Sequence, residues 1–149
     1  MAQQTEHTEE LTEELLERLL NSASPEAYLS ETSLPDRTLS SYLHDLLREK
    51  GLTRAQVIRA SGINATFGYQ IFSGARKPGR DNAIMLAFAL GCDLRETQRI
   101  LRLANVSELW CKVPRDAIII LCIEHGLTRE QTDDELFRLG EATLLEVEE

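Results

Sequence analysis

The chain has 149 residues, 42% of them hydrophobic, which suffices for one domain of ordinary size and excludes wholesale disorder. Its longest apolar run, Ala117–Ile123, is far too short to cross a bilayer, and Met1–Glu6 has neither the basic nor the apolar stretch of a secretory signal, so the expected location is cytoplasmic, away from membranes. The formal charge of −9 is uneven: residues 1–35 balance at −7, residues 36–112 at +5 and residues 113–149 at −7, a positive middle suited to a polyanionic partner between acidic flanks.

Glu9–Leu20 reads as an amphipathic helix, with Leu11, Leu15, Leu16, Leu19 and Leu20 on one face and glutamates opposite. Asn21–Pro25 breaks it, and Ser24-Pro25-Glu26 opens a short second helix through Tyr28 and Leu29. Thr32–Arg37 is a linker. Leu39–Lys50 forms the next helix, with Leu39, Tyr42, Leu43, Leu46 and Leu47 on one face and Gly51 ending it. Thr53-Arg-Ala-Gln56 is a capping box that starts a helix ending at Ser61-Gly62, and Asn64 caps another that runs to Ser73 before Gly74. Ala75–Arg80 is a loop, Asp81–Leu90 an apolar helix, and Asp93 caps a fifth helix of this central set that reaches Ala104. Pro114 opens a helix over Arg115–His125, Thr128–Gln131 is a second capping box, and Glu141–Glu149 is expected to fray as an acidic tail.

The expected organisation is therefore an acidic helical extension and linker over 1–36, a basic helical domain over 37–112, and a helical extension with an acidic tail over 113–149. Cys92, Cys111 and Cys122 have no metal-ligand spacing and read as small reduced core residues. Trp110 and Ile118–Ile123 read as further packing that closes the bundle. There is no glycine-rich phosphate cradle, no nucleophile with a base at motif spacing and no metal-ligand cluster, so an enzyme is not expected, nor any cofactor.

Leu52–Asn64, then Gln70-Ile71-Phe72-Ser73-Gly74-Ala75-Arg76-Lys77-Pro78, then Ala87–Gly91, resembles the Cro-like, lambda-repressor-like family of bacterial and phage regulators, often called XRE. Relatives read roughly Leu-Thr-Gln-x-x-Leu-Ala, Gly-Val-Ser, Ile-x-x-Gly-x-x-x-Pro and Ala-x-x-Leu-Gly-Val in the same order. The resemblance spans about Leu39–Ala104. It implies an all-α, five-helix helix-turn-helix domain with additional N- and C-terminal helices, reading double-stranded DNA as a homodimer and acting in transcription regulation. By position it implies a backbone contact for Arg54 and groove-facing roles for Asn64, Ala65, Thr66 and Gln70. Gln70 is suited to pair with adenine, Thr66 offers a hydroxyl, and Ala65 suits a thymine methyl. Tyr69 either faces the groove or packs on a second subunit, Phe67 lies on the same helix, and Arg76, Lys77 and Arg80 flank the motif as phosphate-neutralising cations.

Three departures from the family pattern stand out. Gly68 occupies a position where relatives carry a buried aliphatic, Phe72 stands where glutamate is common, and the recognition helix carries no Lys or Arg. They motivate a second reading, a protein-interaction adaptor that uses Phe67, Tyr69 and Phe72 on a retained scaffold, with protein partners also open to the acidic N- or C-terminal helices. A third reading makes the acidic ends mimics of DNA that cover the basic middle.

Overall fold

The computed structural model describes residues 13–31 and 38–146, and every regular element among them is helical. None of these helices is long and apolar enough to cross a membrane. The chain divides into two compact units at Asp36/Arg37.

In the first unit, residues 13–21 form α1 and Pro25–Glu31 form α2. The break is chemical: Ser22 Oγ donates to the Arg18 carbonyl at 2.7 Å, and Ser24 Oγ then accepts from Ala27 N–H at 3.1 Å, with proline in the first turn of α2. Two short helices cannot bury their own apolar stripe, and Leu16, Leu19, Leu20 and Leu29 are all exposed. The first turn expected for the opening helix, Glu9–Thr12, and most of the expected linker lie outside the described residues.

The second unit contains α3 (Leu39–Lys50), α4 (Arg54–Ser61), α5 (Ala65–Ser73), α6 (Arg80–Ala89), α7 (Leu94–Leu103), α8 (Pro114–Glu124) and α9 (Arg129–Arg138). Local side chains set most boundaries. Capping boxes stand at Thr38/Ser41, Thr53/Gln56, Asp93/Glu96 and Thr128/Gln131, each satisfying two backbone N–H groups that the helix start would leave orphaned. The repeated Gly-Leu-Thr-Arg-x-Gln at residues 51–56 and 126–131 makes the same turn into a capped helix both times.

α6 is the central post: Ala83, Ile84, Met85, Leu86 and Ala87 are all buried, with α4, α7 and α9 packed around it. Each fully enclosed leucine or isoleucine contributes about 1.5–3 kcal/mol, and Leu43, Leu46, Ile71, Ile84, Ile100, Leu101, Ile119 and Leu136 are such residues. α8 and α9 join this same unit rather than forming a body of their own.

Three sequence expectations are corrected. Residues 141–146 do not fray: Leu144 is buried, Asp133 accepts from the backbone N–H groups of Leu144 and Leu145 at 2.6 and 3.2 Å, and Arg115 donates to the carbonyls of Ala142 and Thr143. Trp110 does not close the bundle but is 58% exposed; the buried residue of that loop is its neighbour Leu109. Of the cysteines, Cys92 and Cys122 are buried, whereas Cys111 is exposed.

Candidate nucleic-acid interface

The turn between α4 and α5 is built by four consecutive residues. Ser61 Oγ donates to the Ile58 carbonyl at 2.7 Å and accepts from Ile63 N–H at 3.1 Å. Gly62 takes φ +83°, a left-handed conformation that glycine adopts without steric cost. Ile63 is buried, and Asn64 caps α5 by accepting from Phe67 N–H through Oδ1 at 3.2 Å. The Gly62 side of the turn faces the C-terminal segment: the site of a Cβ there lies 3.3 Å from both Arg129 Nε and Leu145 Cδ2. Arg129 is held in turn by Asp133, Nη1 to Oδ2 at 2.8 Å.

One face of α5 is pinned inward by Gly68, Ile71 and Phe72. Gly68 admits the Ile58 side chain directly against its backbone, where a larger residue would not fit. Phe72 is fully buried; its ring meets His44 edge-on at 5.8 Å, and its carbonyl accepts from Ser40 Oγ at 2.6 Å and His44 Nε2 at 3.0 Å. Phe72 is thereby removed from any surface shared with Phe67 and Tyr69.

With 68, 71 and 72 turned in, residues 66, 69, 70 and 73 fall on the opposite helical face, and Ala65 begins the helix one turn ahead of Gly68. Ala65, Thr66, Tyr69 and Ser73 are exposed and Gln70 is half-buried. Asn64 is exposed, but its carbonyl oxygen is engaged as the cap, leaving its amide N–H groups to face outward contacts. The Gln70 backbone carbonyl accepts from Ala75 N–H and Arg76 N–H at 3.0 and 3.3 Å, fastening the following loop to the end of α5.

Although α5 holds no cation, its rings hold those of its neighbours. The Arg54 guanidinium lies 5.7 Å from the Tyr69 ring centroid, and that of Arg76 lies 5.2 Å from the half-buried Phe67 ring. Arg54, Arg59, Arg76 and Lys77 are exposed, and none has an ion-pair partner among the described residues. Sequence reasoning missed Arg59 and both cation–ring pairs: Arg54 meets Tyr69 through the α4–α5 crossing, and Arg76 meets Phe67 because the loop after α5 folds back along that helix.

Arg80 behaves differently from the cations grouped with it. It begins α6, and its guanidinium spends four hydrogen bonds internally: Nε to the Ser107 carbonyl at 2.9 Å, Nη2 to the Glu108 carbonyl at 3.1 Å, and Nη1 and Nη2 to Asp116 Oδ1 and Oδ2 at 3.1 and 2.7 Å. It is part of the frame.

No family model matches this chain, and no curated protein or solved structure matches it either.

Proposed function

We propose that residues 39–104 are a Cro-like, lambda-repressor-like helix-turn-helix and that the protein is a cytoplasmic, sequence-specific DNA-binding regulator acting as a homodimer. α4 is the bracing helix and α5 the helix that enters the major groove, with Gln70 and Thr66 reading base edges and Ala65 meeting a thymine methyl. Arg54, Arg76 and Lys77 neutralise phosphates at the groove's rim.

The observation that carries this reading is the disposition of α5. Its outward face presents Thr66 and Gln70, with exposed Ala65 at its first position, while two guanidiniums without carboxylate partners among the described residues stand over its aromatic rings. That combination offers hydrogen-bonding groups between positive charges, which suits a duplex. The adaptor reading loses Phe72, which is in the core, and part of Phe67, half-buried beneath Arg76, and keeps Tyr69 and the exposed leucines of α1 and α2.

Selection of binding sites from random duplexes, at stated salt, tests the proposal. Enrichment of a two-fold-related sequence is expected; a folded protein that enriches nothing overturns it.

A further inference from the structure

The loop after α7 joins an unusually rigid frame to an unusually exposed anchor. Leu109 is clamped on both sides by Gln98, whose Oε1 accepts from Leu109 N–H at 2.7 Å and whose Nε2 donates to the Leu109 carbonyl at 2.8 Å. Asp116, itself buried, receives Trp110 N–H at 3.0 Å as well as the Arg80 guanidinium. Arg80 adds its two bonds to the carbonyls of Ser107 and Glu108. These contacts leave Trp110, Lys112 and Val113 outside, with the Lys112 ammonium 5.7 Å from the indole centroid. A large ring held in the open by so many bonds gives up apolar burial, yet binds a partner with little ordering cost.

Its position says which partner. Arg80 follows directly on the Arg76–Lys77 loop and fastens Ser107 and Glu108 to the start of α6, so the two loops are neighbours. Three carboxylates next to these loops are already neutralised: Asp116 by Arg80, Glu108 by Arg102 and Asp81 by Arg115. Arg76, Lys77 and Lys112 are exposed and have no ion-pair partner among the described residues, so their charge is available to a polyanion, while Glu141 and Glu146 lie along the cavity on the Asp81 side of the start of α6.

We infer that the DNA-facing surface continues beyond α5 across the 75–79 loop to Lys112 and Trp110, with Lys112 on a phosphate and the indole against the adjoining deoxyribose. This rests on the DNA-binding reading above and extends its footprint to a second, rigid loop.

The full chain carries a single tryptophan, so its emission reports on this loop alone. The probe is a mixed-sequence duplex of about three helical turns at about 50 mM salt, where backbone binding does not depend on sequence. Duplex binding, followed by anisotropy of a labelled copy, is expected to shield Trp110 from acrylamide quenching. Lys112→Gln is expected to lower the salt slope by about 0.9, and Trp110→Phe to keep most of the affinity that Trp110→Ala loses. Both positions are exposed, so the variants are expected to fold. Duplex binding with Trp110 still fully quenchable overturns this inference and leaves the proposed function standing. Shielding that grows with protein concentration alone, with a doubling of mass, assigns the surface to a second copy and overturns it as well. Failure of the folded protein to bind any duplex overturns both.

Discussion

A Cβ placed on Gly68 would stand 2.8 Å from Cγ2 and 2.9 Å from Cγ1 of Ile58, so the backbone of α5 rests on a buried side chain of α4 with no room for a methyl group. Gly68→Ala would gain about 0.5–1 kcal/mol of helix propensity but pay an overpacking cost of about 1–3 kcal/mol against a pinned neighbour. The expected result is a net destabilisation of about 1–2 kcal/mol in urea unfolding. In the Ile58→Ala background the same change should be neutral or stabilising. A more stable single variant would show that Ile58 yields freely.

Asp116 and Arg80 form an enclosed ion pair, with Asp116 almost wholly buried and Arg80 about one quarter exposed. Asp116→Ala leaves a guanidinium short of its acceptor and frees the Trp110 N–H; a loss of about 2–3 kcal/mol is expected. Exchanging both partners for apolar residues, Arg80→Met with Asp116→Leu, should recover part of that loss. Chemical denaturation of the three variants checks it, with no recovery in the double variant as the contrary outcome.

The proposed reading helix separates two kinds of binding defect. Gln70→Ala should cost about 1–3 kcal/mol at one base position of the selected site, while Arg54→Gln should weaken all sequences alike and lower the salt slope by about 0.9. Titrations over a range of salt with matched and single-substituted duplexes distinguish them. Equal losses on every duplex for both variants would mean that Gln70 reads no base.

The helix boundaries and the caps were legible because their causes are local. Thr53, Asn64, Asp93 and Thr128 act on backbone groups three residues away, and the inward positions of α3 follow from spacing alone. What could not be read was where long side chains go. Arg80 looked like a loop cation, yet its partners lie 27 to 36 residues downstream. Phe72 looked available to a partner until the triplet Gly68, Ile71, Phe72 was seen as one inward face. Leu144 sits in an acidic stretch, and only its seat in the core and the Asp133 carboxylate explain why the chain is ordered there.

The thiols offer a pH test. Burial pushes the Cys92 thiol far above its ordinary value, and burial also raises Cys122. A thiol whose folded pKa is raised stabilises the fold below the unfolded value of about 8.5 and loses that contribution as pH climbs above it. Unfolding midpoints should therefore fall between about pH 8.5 and 10, and less steeply in Cys92→Val than in the parent. Alkylation of the native protein at neutral pH should modify Cys111 first. Equal rates at all three cysteines would contradict the buried placement.

Gly62 and Leu145 lie close together across about eighty residues of chain, with Arg129 beside them. During synthesis the earlier residues emerge first, so the α4–α5 turn exists well before the residues that brace it. A nascent or truncated chain lacking the segment beyond Gly140 thus keeps the local hydrogen bonds of this turn but leaves its Gly62 side bare, so the covering of the turn is completed late in translation.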